Sequence, residues 1–200
     1  MAFTVPVPRT PLESAGTSDS GSGTAQWYAS ELGWPVTEET PVQLLTGLRF
    51  DVLELPADAG SALLRRPDVS ADGAGPVALM GPAMRLLVAA GSAEELPGLL
   101  DWLEWGGIDL DLTAIGAGGR IAAPPPPGRP CARGAAVWLR PPVPGREAQL
   151  PALTGLGDIG GAPGLVQLVD AAATECHRAR LLRSKRTNTR RTKTQPLAFS

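Results

Sequence analysis

The chain is short of cysteine and histidine and has no long apolar run, and each shortage excludes a class of function. Cys131 and Cys176 are the only two cysteines, and they form no CxxC spacing. A zinc site takes about four nitrogen or sulfur ligands, and with His177 as the sole histidine the chain falls short. No stretch of about 18 uninterrupted apolar residues offers a membrane span. Residues 1–22 lack a cationic start followed by an apolar core, so no secretory signal is expected and the cytoplasm is the expected compartment. No internal repeat is visible.

What is present suits one domain with tails. The 200 residues are 43% hydrophobic, enough for a real core. Glycine (24) and proline (21) together exceed a fifth of the chain, which predicts long loops. The net charge of -2 conceals an asymmetry. Eight of the 18 bases (Arg178, Arg180, Arg183, Lys185, Arg186, Arg190, Arg191 and Lys193) lie in one acid-free stretch, leaving ten against all 20 acids elsewhere. The body is acidic and the C-terminal end is basic. Such a body repels phosphates, whereas such an end attracts them.

Residues 1–23, rich in Pro, Ser, Thr and Gly, read as a disordered lead-in. Thr24 is placed to cap a helix over 25–32 that Gly33 ends. Residues 48–55 (LRFDVLEL) predict a strand with Phe50, Val52 and Glu54 on one face and Asp51, Leu53 and Leu55 on the other. A short helix over 57–66 follows, then a hairpin from 76 to 90 across Gly81-Pro82-Ala83. Ser92 and Glu95 have capping-box spacing for a helix reaching about Trp105. Residues 135–140 read as a strand and 147–156 as a brief helix. Leu165, Val169, Ala172, Cys176 and Ala179 recur at steps of three and four, the apolar stripe of a docked helix. Residues 187–200 read as a basic disordered tail, which leaves 24–186 as the domain. This order of elements predicts an α+β fold, a mixed sheet with flanking helices.

The stretch Ile108–Pro127 (IDLDLTAIGAGGRIAAPPPP) predicts a second hairpin. Ile108, Leu110 and Leu112 alternate with Asp109, Asp111 and Thr113, Gly116-Ala117-Gly118-Gly119 supply the turn, and Arg120 to Ala123 return until proline stops the ladder. The turn lacks the lysine and hydroxyl residue of a P-loop. Asp109 and Asp111 suit either the solvated face of an edge hairpin or a metal site. Trp102 and Trp105 read as core residues, and His177 as a surface residue of the last helix.

Several motifs, in order, resemble the bifunctional DNA primase/polymerase (prim-pol) domain of the archaeo-eukaryotic primase superfamily. They are Tyr28-Ala29-Ser30-Glu31-Leu32-Gly33-Trp34-Pro35-Val36, Thr46-Gly47 leading into Phe50–Leu55, Gly60 with Leu63, the glycine turn running to Ala123-Pro124-Pro125, and Trp138. The likeness spans about residues 25–180. It implies a primase-polymerase-like fold and nucleotidyl transfer, in which carboxylates hold two divalent metals. Position by position the chain departs from that pattern. The first motif's aspartate pair falls on Glu54 and Pro56, the second motif's histidine near Met84 and Arg85, and the third motif's aspartate on Thr113, with Asp111 the nearby substitute.

The resemblance therefore implies Glu54 and Asp111 as the only remaining catalytic and metal-binding candidates, with Arg85, Gly118 and Gly119 as nucleotide-contacting candidates. The expected function is a catalytically degenerate primase/polymerase-like domain acting as a nucleic-acid-associated or regulatory binding module. No cofactor is expected, and magnesium or manganese only if activity remains. The alternative is a residual metal-dependent nucleotidyl transferase. The eight basic residues are the candidate contacts to DNA or another acidic partner, and no membrane partner is expected.

Overall fold

The computed structural model describes residues 18–69, 74–153 and 164–193. The expectations for residues 1–17 and 194–200 lie outside them. The chain opens with α1 (Ser18–Trp27), which passes directly into a π-helical turn, Tyr28–Leu32, closed by Gly33. Strands β1 (Gln43–Leu45) and β2 (Asp51–Pro56) follow, then α2 (Ala57–Leu63), β3 (Val77–Met80), β4 (Ala83–Val88) and α3 (Ser92–Trp102). The short strands β5 (Thr113–Ile115), β6 (Arg120–Ala122) and β7 (Val137–Arg140) lead to a single 3-10 turn, Glu147–Gln149, and the long α4 (Leu165–Lys193).

Five strands form one antiparallel sheet in the order β5-β2-β4-β3-β7. Strand β2 is buried on both sides, and four of its six residues are apolar, with Asp51 and Glu54 the exceptions. Leu53 and Leu55 face a core shared with α2, α3 and α4, where Leu63, Leu86, Leu96, Leu165, Leu168 and Val169 are packed. Phe50 and Val52 face the other way, into a cluster with Tyr28, Trp34, Leu44, Leu87 and Ile121. A two-stranded sheet, β1 with β6, covers this second face. The fold is α+β, and the alternation expected of residues 50–55 has the observed phase. The β3–β4 hairpin and the buried stripe from Leu165 to Ala179 also follow the expected pattern.

In the second cluster Tyr28 is fully buried. Its hydroxyl donates to the Pro124 carbonyl at 2.8 Å and accepts from the Trp138 indole at 2.8 Å. Burial pushes that hydroxyl above the usual tyrosine range, against the smaller opposite effect of the Trp138 hydrogen bond. These bonds tie the start of the proline run to the first helical segment.

The sequence misleads at several places, and of the helix expected over 147–156 the described residues show only the 3-10 turn Glu147–Gln149. The stretch 108–123 is not a hairpin: β5 pairs with β2 and β6 with β1, so the glycine turn carries the chain from one sheet to the other. The burial alternation holds for Leu110 and Leu112 against Asp109 and Asp111, but Ile108 is 39% exposed and the ladder begins only at Thr113. Alternation reports which side chains are buried, not which strand lies beside them. The first helix begins at Ser18 rather than 25, with Thr24 inside it and buried. Residues 187–193 continue α4 rather than leaving it. Arginine and lysine are good helix formers, and a helix already nucleated on the core propagates at little cost.

The Ser92–Glu95 capping box is not used. Gly91 is the N-cap, and the Ala93 N–H instead finds Asp51 Oδ2 at 2.9 Å, a carboxylate from β2. Trp102, expected in the core, is 72% exposed, while Trp105 is half-buried with its indole N–H on Asp170. The helix stops between them, so the 3.6-residue spacing no longer applies.

Candidate functional site

A cleft of about 690 Å³ opens where β2 runs into α2, bounded by Glu54, Pro56, Asp58, Pro82, Asp111, Thr113 and Arg183. Antiparallel pairing sets its floor. Glu54 lies directly opposite Thr113 on β5 and directly opposite Arg85 on β4. Residues paired this way share a sheet face with their Cβ atoms about 5 Å apart. Of the positions to which the resemblance assigns the catalytic motifs, Thr113, Glu54 and Arg85 thus form one row across three adjacent strands, while Pro56 and Met84 lie outside it.

Each acid of the cleft is paired with an arginine. Arg85 Nε donates to Glu54 Oε2 at 2.7 Å, with side chains 16% and 30% exposed. Asp111 precedes β5 and is joined to Arg183 Nη2 at 2.6 Å. The same guanidinium reaches Asp58 at 3.2 Å from its other nitrogen. Two arginines therefore stand against the three carboxylates. Among the described residues, no three His, Cys, Asp or Glu side chains converge closely enough to hold a metal ion.

A two-metal centre needs carboxylate lone pairs aimed at common points. Here one oxygen of Glu54 and one of Asp111 each accept from a guanidinium, and the Pro56 side chain has no donor atom to offer a metal. The residues present do not fit the metal pair that the resemblance implies.

The glycine turn lies apart from the cleft. Ile115 pairs with Val52, so the turn sits at the Asp51 end of β2, three residues or about 10 Å from Glu54. There it docks on the Thr46-Gly47 segment. The Thr46 amide donates to the Gly119 carbonyl at 3.1 Å, and its hydroxyl donates to the Gly116 carbonyl. Gly47, at φ 89°, lies so close to Ala117 that any Cβ would strike the backbone. Gly118 takes φ 75° beside open space, and a Cβ on Gly119 would collide with Ile115 and Thr46. A hollow of about 200 Å³ is lined by both segments where they meet. Gly118 and Gly119 border it, so they do not join Arg85 at one site.

The basic residues divide. Arg178 pairs at 3.0 Å with Glu175, a buried carboxylate that also meets Arg66 at 3.3 Å. Arg180 pairs with Asp109 at 2.6 Å, and Arg183 enters the cleft. Lys185 and Arg186 are exposed on α4. Arg190, Arg191 and Lys193 lie on its final helical stretch.

Two cleft residues were not legible as a pair. Asp58 reads as an acid at the start of the helix expected over 57–66 and Arg183 as one of the bases of the C-terminal acid-free stretch, 125 residues later. The one local signal was Asp58 following directly on the strand end that carries Glu54. His177 is half-buried against Trp105, with ring centroids 5.9 Å apart, and is not part of the cleft. No helix among the described residues is long and apolar enough to cross a membrane. Compared with protein-family models, curated proteins and solved structures, the chain matches none.

Proposed function

We propose that this chain is a catalytically degenerate DNA primase/polymerase-like domain, serving as a nucleic-acid-associated or regulatory binding module. The observation that carries the reading is the row Thr113–Glu54–Arg85, where three motif positions far apart in sequence meet on one sheet face. Thr46-Gly47 docking on the glycine turn adds a second meeting of motif segments. The arginine attached to each remaining carboxylate supports the loss of catalysis, since a metal would have to displace it. Free thiols at an exposed Cys131 and a buried Cys176 suit the reducing cytoplasm.

The test is a primer synthesis and extension assay with manganese. No product is expected; robust extension that disappears in Asp111→Ala overturns the reading.

Nucleic-acid contact is assigned to the end of α4. Cutting the chain at Arg178 would remove Ala179, which is core, so the informative variant is Arg190→Ala, Arg191→Ala and Lys193→Ala together. It is expected to weaken DNA binding and to lower the salt slope by up to about three.

Glu54 and Asp111 do line one cleft, and that favours a second reading, a residual metal-dependent nucleotidyl transferase. This reading expects manganese to raise the melting temperature and Glu54→Gln to abolish the shift. An unchanged melting temperature across metal and nucleotide titrations dismisses it.

A further inference from the structure

We propose that α4 is a charge-held clamp: a nucleic-acid backbone competes for Arg180 and Arg183, and so releases Asp109, Asp58 and Asp111 and opens the cleft. The inference rests on the reading above and adds that binding and cleft opening are coupled.

The helix is fastened in two different ways along its length. From Leu165 to Ala179 it is held by buried apolar side chains. Immediately beyond, Leu181 and Leu182 are about half exposed. The described polar contacts from there to the body run through two arginines: Arg180 to the carboxylate and the backbone carbonyl of Asp109, and Arg183 to Asp58 and Asp111. These arginines are 42% and 40% exposed and their acids 52–80% exposed, so the pairs are weak and salt-screened. The C-terminal end of α4 can therefore lift while its first half stays in the core.

A phosphate backbone is a suitable competitor. Its two non-bridging oxygens accept a bidentate pair of hydrogen bonds from a guanidinium, as a carboxylate's two oxygens do. The bases continue to Lys193 along helical backbone, about 15 Å beyond Arg183, and a repeating charge of the opposite sign is what such an array binds. Lifting Arg183 takes the cation from Asp58 and Asp111, which line the cleft with Glu54, while Glu54 keeps Arg85.

The experiment measures binding of the full chain to fluorescein-labelled single-stranded DNA by anisotropy. D58N/D109N/D111N removes the clamp's acids and is expected to bind about ten-fold tighter, since three weak competing pairs are gone. Adding R180Q and R183Q should cancel that gain. D109N alone, at the most exposed of the three acids, should give part of it whatever the triple variant does to folding.

E38Q/E39Q/D101N changes net charge equally at exposed sites outside the clamp, and an equal gain from it overturns the proposal. An unchanged affinity in the D58N/D109N/D111N protein, with wild-type binding intact, overturns the clamp and leaves the binding function standing. Absence of binding in both removes the two together. Polyglutamate binding as tightly as DNA assigns the surface to an acidic protein and overturns the choice of partner.

Discussion

At the scale of single residues, buried ionisable groups carry the clearest consequences. Asp51 is 1% exposed and lends one oxygen to the start of α3, where the helix dipole favours negative charge. Its other oxygen has no partner among the described residues. Asp51→Ala should therefore cost about 2 kcal/mol in denaturant unfolding, a cap lost inside the fold, and Asp51→Asn should cost less because it keeps an acceptor.

Cys176 is the second such residue. Burial, with Asp111 as a smaller cause, pushes its thiol up to about 12. An unfolded cysteine ionises near about 8.5. Between these values the unfolded state has released its proton and the folded state has not, so stability falls as pH rises through that window. Cys176→Ala should flatten this alkaline limb in melts taken from pH 8 to 10. In the folded protein iodoacetamide should label the exposed Cys131 and spare Cys176.

At the scale of elements, the end of α3 shows backbone geometry overriding residue preference. Trp105 N–H bonds the Leu100 carbonyl at 2.8 Å and Glu104 N–H bonds that of Asp101 at 3.1 Å, the paired bonds of a Schellman closure. The residue that must be left-handed is Glu104, at φ 64°, although two glycines follow at 106 and 107. A glycine ending was legible in the sequence, but its register was not. Glu104→Gly should raise stability by about 1 kcal/mol, read as a higher melting temperature, because it removes the left-handed penalty of a Cβ. Helix α4 makes the complementary case, with its stripe readable to Ala179 and its ionic continuation hidden.

At the scale of the whole molecule, the sheet decides what the cleft can do. Replacing Arg85 by methionine would free Glu54 of its cation. If guanidinium pairing is what excludes a divalent ion, Arg85→Met combined with Arg183→Met should acquire a manganese-dependent rise in melting temperature that the wild type lacks. No shift in that variant would mean that the carboxylates are too far apart even when unpaired.

The sequence by itself determined the periodic features: the two-faced β2, the β3–β4 hairpin, the stripe of α4 and the division into acidic body and basic end. Each is written in neighbours a few residues apart, where covalent geometry alone sets which side chains share a face. Only the tertiary structure decided that the glycine turn joins two sheets, that Asp51 caps α3 and that Arg183 closes on Asp58 and Asp111. Those partners lie 42 to 125 residues apart. Their pairing depends on which apolar faces bury together, and no local spacing encodes that choice.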